Sequence, residues 1–242
     1  MEKLYVVGDI HGCYKTLLAL IKKLPNKEKS KICFVGDLID RGSNSKDVIE
    51  FVKLNNYDCV LGNHELFFID NVPKVLEDEI NDEVKKWLYS YGGKETLKSY
   101  LMDNSTLDKE LLLTHLEYLK SLPNYIEYKN LKTKDNRYLV VSHSNLGDKW
   151  QFKDYSKDSV EYQQFLKMIH FGRFKNYDNK DIYNVFGHTP IEKVDIANGY
   201  KTNVDTGCVY DNGINLKGYL TALEFPKLRV IKQENTERIF FK

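Results

Sequence analysis

The sequence contains no CxxC pair, and its four cysteines, Cys13, Cys33, Cys59 and Cys208, lie far apart in mostly apolar surroundings. That excludes a Cys-rich zinc site and a disulfide framework, and leaves the four as reduced core thiols. An excess of charge is missing too, because 36 Lys and Arg meet 35 Asp and Glu for a net charge of +1. No long-range attraction to nucleic acid or to an anionic membrane is expected, so any phosphate must be held by local charge. No apolar run approaches the roughly 18 residues that mark a membrane helix. The chain passes from Met1 straight into the strand-like Leu4-Tyr5-Val6-Val7, with no basic segment and apolar stretch of the signal type, and a cytoplasmic location is expected.

What is present points to one globular domain over residues 1–242, with 42% hydrophobic and 29% charged residues. A chain of this size buries roughly 70% of its unfolded surface and needs no structural metal, so a metal held here should serve chemistry. Leu4 to Val7 stops at Gly8-Asp9-Ile10-His11-Gly12, and a helical pattern (Leu17, Leu18, Leu20, Ile21, Leu24) follows. Ile32 to Val35 stops at Gly36-Asp37-Leu38-Ile39-Asp40-Arg41-Gly42 before a helix around Val48, Ile49 and Val52. Asp58 to Leu61 stops at Gly62-Asn63-His64-Glu65. The pattern predicts βαβαβ, whose parallel strands end on one rim, where open α/β sheets commonly bind ligands. A single Asp after a strand is most often a helix N-cap. Three clusters mixing Asp, His and Asn at three strand ends point instead to a shared ligand field for a divalent ion, Mn²⁺ first, with Fe or Zn tolerated.

Residues 72–125 change character. Charged helical patterns (Glu77 to Tyr91, Leu111 to Leu122) flank Gly92-Gly93 with no strand signal, which predicts a helical cap inserted into the sheet domain. Two further apolar runs, Tyr138 to Val141 and Ile182 to Phe186, end in Ser142-His143 and Gly187-His188-Thr189-Pro190. His115 and His170, on helical patterns, are expected to be structural. Tyr219 to Phe225 and Leu228 to Ile231 predict antiparallel strands forming a second sheet.

The three blocks Gly8-Asp9-x-His11-Gly12, Gly36-Asp37-x-x-Asp40-Arg41-Gly42 and Gly62-Asn63-His64-Glu65 resemble the signature blocks of the calcineurin-like metallophosphoesterases. The Asp40-Arg41-Gly42 ending resembles the phosphoprotein phosphatase branch, which includes bacterial and phage-type serine/threonine phosphatases and symmetrical diadenosine tetraphosphatases. The resemblance implies an α/β (α+β) fold, a two-sheet β-sandwich flanked by helices. It implies one metal ion on Asp9, His11 and Asp37 and a second on Asp37, Asn63, His143 and His188, so that Asp37 is shared. Arg41 would grip phosphate, aided by Asn63 and His64. By spacing and by resemblance His64 is the general acid, oriented by Asp40.

Trp87-Leu88 through Gly92-Gly93-x-x-Thr96-Leu97-x-x-Tyr100 resembles a segment of the bacterial and phage-type members and is expected to handle substrate. Arg173, after His170-Phe171-Gly172, is expected to be a second phosphate clamp. Asn203 to Tyr210 and Leu220 to Glu224 resemble the terminal strands of the same branch, with Asp205 organising a turn. The chain departs from the family in reading Ser144-Asn145 where members usually read Ala-Gly, and it lacks the Ser-Ala-Pro-Asn-Tyr block of the eukaryotic enzymes. The expected activity is phosphoserine or phosphothreonine hydrolysis, with dinucleoside polyphosphates or other small phosphoanhydrides as the alternative. A silent scaffold for phosphorylated partners would have lost ligands, and all six ligand positions are filled.

Overall fold

The computed structural model describes residues 3–173, 179–197, 199–210 and 218–237. The chain starts β1 (Leu4–Val7), α1 (Tyr14–Lys23), β2 (Lys31–Phe34), α2 (Ser45–Leu54), β3 (Asp58–Cys59), and β1 pairs parallel with β2 and β2 with β3. α3 (Asn63–Leu76) begins at the candidate ligand Asn63 itself and leads into α4 (Asp82–Lys86), a π-helical turn (Trp87–Tyr91), α5 (Gly93–Ser99) and α6 (Lys109–Lys120). Then come β4 (Tyr125–Lys132), β5 (Tyr138–Ser142), a 3₁₀ stretch (Gly147–Asp154), α7 (Val160–Phe171), β6 (Ile182–Phe186), β7 (Lys201–Asn203), β8 (Asp205–Thr206), β9 (Tyr219–Phe225) and β10 (Arg229–Glu234). No helix among the described residues is long and apolar enough to cross a membrane.

The strands form two sheets, ordered β10-β9-β1-β2-β3, with β8 on β9, and β4-β5-β6-β7. Because side chains alternate along a strand, Leu4 and Val6 face the second sheet, where they meet Leu139, Val141, Tyr183 and Val185. Tyr5 and Val7 face the other way, onto Leu17, Leu20, Val48 and Val52 of α1 and α2. On the far side of the second sheet, Val140 and Ile182 pack on Phe165 and Ile169 of α7. Both sheets are thus covered on both faces, which is why β1 and β6 are entirely buried and, apart from Asn184, apolar.

One expectation is corrected here. Residues 219–225 and 229–234 are antiparallel strands, but β9 and β10 extend the first sheet: β9 lies beside β1, with Leu4 opposite Phe225 and Val7 opposite Ala222. The second sheet is built from β4 to β7 instead. Alternation reveals a strand and its two faces, whereas its partner is chosen by packing across the whole chain.

Candidate active site

The loops after β1 and β2 are bonded directly to each other, since Asp37 O accepts from the N–H groups of Ile10 and His11 (3.0 and 2.9 Å). His11, Asp37, Asp40, Arg41 and His188 all have left-handed backbone, with φ of 48°, 50°, 69°, 69° and 72°. Such conformations cost about 1–3 kcal/mol each for residues with a side chain, and persist only where the surroundings over-determine them. Glu65 supplies much of that constraint. Its buried carboxylate accepts from the backbone N–H of Asp37 and Leu38 (both 2.8 Å) and of Gly62 (2.9 Å). Glu65 is the third residue of α3, a position whose only local signal is that of a helix cap.

Five of the six candidate ligands are linked through Asp37 and His143. His11, Asp37 and His64 form one group whose donor atoms lie within 4.8 Å of one another, and Asp37, His143 and His188 form another. Asp37 belongs to both: its Oδ2 is 3.5 Å from His11 Nε2 and its Oδ1 is 3.4 Å from His143 Nε2. Asn63 Oδ1 lies 2.8 Å from His143 Nε2 and 2.9 Å from His188 Nδ1. Asp9 falls outside both groups. Its carboxylate instead accepts from the backbone N–H of His188, at 3.3 and 3.1 Å, and lies so close to Gly187 that a Cβ there would come within 1.9 Å of Oδ1. Asp9 therefore ties the first sheet to the loop after β6.

Backbone carbonyls set the imidazole tautomers. His11 Nδ1–H donates to Ile39 O and His143 Nδ1–H to Val35 O, both at 2.8 Å, which leaves each Nε2 with its lone pair facing inward. The His143 lone pair then meets Asn63 Oδ1, a second acceptor, and a cation between them relieves that opposition. His188 Nε2 is buried with no hydrogen-bond partner. The residues present thus fit a divalent metal pair.

Beside this field Asp40 Oδ2 accepts from His64 Nδ1–H (2.7 Å) and from Trp87 Nε1–H (3.1 Å), and Asp40 Oδ1 accepts from the Thr96 hydroxyl (2.7 Å). Arg41 donates through Nη1 to His11 Nε2 and through Nη2 to His64 Nε2 (3.0 Å), and it lies over the Tyr210 ring. Gly92 has φ 94°, and a Cβ there would strike Arg41 N at 2.4 Å. The segment quoted above for substrate handling thus braces Asp40 and Arg41 from behind.

A model of the calcineurin-like phosphoesterase family matches residues 2–215. The chain belongs to that family. The chain is 28% identical to the asymmetrical bis(5′-nucleosyl)-tetraphosphatase PrpE of Oceanobacillus iheyensis, over 93% of this chain and 89% of that one. It is also 28% identical to the symmetrical bis(5′-nucleosyl)-tetraphosphatase of Coxiella burnetii, over 81% of this chain but 57% of that longer protein. A solved structure described as a putative diadenosine tetraphosphatase shares the fold, with a TM-score of 0.63 at 21% identity over 97% of this chain and 94% of that one.

The electrostatics suit a phosphoesterase of this family, a metal-dependent hydrolase. Burial alone would raise the Asp37 carboxyl, but His143, His64, His11 and Arg41 hold it well below the usual range. Burial pushes His188 down to about 3, with His143 and Arg173 adding to the effect, and lowers His11 and His143 as well. A lowered carboxyl at Asp37 and lowered imidazoles at His11, His143 and His188 are the directions that metal binding favours. Asp9 is raised by burial and then by Asp205 and Asp37, and Glu65 is pushed up to about 8 by burial and Asp37 against the N–H donors of Asp37 and Leu38.

Of the remaining expectations, exposed Arg173 stands close enough to His188 to act on its charge. Asp205 Oδ1 accepts from Gly207 N–H (2.9 Å), as a turn organiser does. His170 is bonded to Leu61 O and Asn124 Oδ1, and His115 to Glu50 and Tyr100, all outside the two ligand groups. At Ser144-Asn145 the left-handed turn falls on Gly147 (φ 56°), while Asn145 Oδ1 accepts from Gly147 N–H (3.0 Å). Ser144 N–H donates to Ile169 O (2.9 Å), its hydroxyl donates to Met168 O, and its Oγ accepts from Gly172 N–H (3.1 Å). The departure from Ala-Gly therefore fastens the end of α7 beside the site.

Proposed function

We propose that this phosphoesterase uses two metal ions to hydrolyse dinucleoside polyphosphates. The observation that carries the chemistry is Asp37, shared between two ligand groups beside the His64–Asp40 pair. The substrate class rests on the asymmetrical tetraphosphatase relative, which matches nearly the full length of both chains.

Asp9, His11 and Asp37 would hold one divalent ion, and Asp37, Asn63, His143 and His188 the other. Oxygen-rich ligands with imidazole favour Mn²⁺, and Fe or Zn are compatible. When bound, such a pair supplies a nucleophile from water near neutral pH and neutralises charge on the transferring phosphoryl group. Arg41, whose fork matches two phosphate oxygens, and Arg173 grip the phosphate, with Asn63 and His64 at its edge. Arg41 covers both His11 Nε2 and His64 Nε2, so it has to turn outward, towards phosphate, before His11 can ligate or His64 can carry a proton there. His64, held by Asp40, then gives that proton to the leaving oxygen. Asn63 and His64 open α3, whose N-terminus adds positive potential at the phosphate.

Comparing kcat/KM on diadenosine tetraphosphate, a phosphoserine peptide and p-nitrophenyl phosphate with added Mn²⁺ tests the proposal. The dinucleotide is expected to lead by about tenfold or more. A lead for the peptide overturns the substrate class and restores the phosphoprotein reading. Absence of turnover on all three in metal-loaded, folded protein overturns the hydrolase assignment.

A further inference from the structure

A row of aromatic rings runs outward from His64. The Phe67 and Tyr91 rings lie 5.6 and 6.4 Å from the imidazole and stack on each other at 4.6 Å and 14°. Phe171, the last residue of α7, continues the row 6.1 Å beyond Phe67 and is 42% exposed. Two cations flank it: Lys86 Nζ sits 5.4 Å from the Tyr91 ring centre, and Arg173 follows Phe171 by two residues.

A single exposed Phe at a helix end calls for no function. Here, however, the last turn of α7 is fixed from inside the site, by the three hydrogen bonds of Ser144, the residue after the candidate ligand His143. The side on which the row lies is also informative. His64 protonates the oxygen that departs, so the surface beyond His64 meets the leaving group and not the phosphoryl group under attack. A seryl or threonyl leaving group has no ring to place there. A nucleotide has one, joined to phosphates that call for cations.

We propose that Phe171, with Phe67 and Tyr91 behind it, seats the base of the leaving nucleotide, while Lys86 and Arg173 face that nucleotide's phosphates. The inference rests on the dinucleotide reading given above. Every nucleobase offers a flat face, so the seat selects for the presence of a base more than for its identity.

The test is Phe171→Ala, a change at an exposed ring that no core cluster uses. Relative to wild type, kcat/KM on diadenosine tetraphosphate is expected to fall about tenfold, chiefly through KM. Turnover of inorganic tripolyphosphate, an anhydride without a base, is expected to stay unchanged. Phe171→Trp is expected to restore the dinucleotide value. A second readout needs no turnover: in metal-free protein, saturation transfer from the protein to the adenine protons of ADP is expected in wild type and lost in Phe171→Ala. Equal losses on both substrates, no rescue by Trp, or equal saturation in the two proteins would overturn the seat and leave the substrate class standing. A wild-type enzyme that hydrolyses tripolyphosphate and ignores the dinucleotide overturns both.

Discussion

The strand-end loops and the helical insertion meet at Asp40 and Arg41, and they serve these residues by different means. The strand ends carry the candidate ligands, three of them (His11, Asp37 and His188) on left-handed backbone, and the loops after β1 and β2 are held by bonds to each other and to Glu65. The insertion carries no candidate ligand. It contributes Trp87 and Thr96 as donors to Asp40, and the Gly92 carbonyl as acceptor for Arg41 N–H (3.3 Å). The strand ends therefore carry both the candidate ligands and the acid pair, whereas the insertion only holds Asp40 and Arg41 in place, and the difference should be measurable.

The largest effect is expected from Asp37→Asn. Occupancy should fall at both metal positions and turnover by about 10³-fold or more, as the loss of several kcal/mol of charge stabilisation implies. Metal analysis after desalting checks this, and retention of two tightly held ions would reject the sharing of Asp37. His64→Asn comes next: turnover should drop by about 10²–10⁴-fold with metal content near that of wild type. Loss of both ions in that variant would count against His64 as the acid.

Trp87→Phe sharpens the comparison from the insertion's side, with an expected loss of about tenfold in kcat and unchanged metal content. Its pH profile should change too. Burial pulls the His64 pKa down, but Asp37 and Asp40 prevail and the net direction is upward. The protonated acid should therefore survive above the ordinary histidine range, with activity falling as pH rises through the raised value. Its contribution to stability has the same sign, complete below the unfolded pKa and lost through the folded one. A variant that leaves Asp40 free to shift should move the alkaline limb, whereas a merely structural lesion lowers the rate at every pH.

Much of the site was legible because ligands cluster next to strand ends, and a strand end is marked locally. Gly8-Asp9, Gly36-Asp37 and Gly62-Asn63 each follow a short apolar run, so three of the loops could be read without a fold in hand. The role of Glu65 has no local mark, because it is to bond the backbone of another loop, nearly 30 residues earlier in the chain. The partners of Asp40 were hidden for the same reason: Trp87 and Thr96 are 47 and 56 residues away from it.

Composition and local pattern were enough for most elements, for the candidate ligands at the strand ends and for the near-neutral charge that makes phosphate binding a local affair. Residue type and spacing along one strand or helix are enough for those. Tertiary structure decided which sheet β9 and β10 join, that Asp9 bonds the backbone of His188, that Ser144 anchors α7, and that an insertion without ligands holds the acid pair in place. These are contacts between segments far apart in the chain, and only packing selects among the many partners that each local pattern would accept.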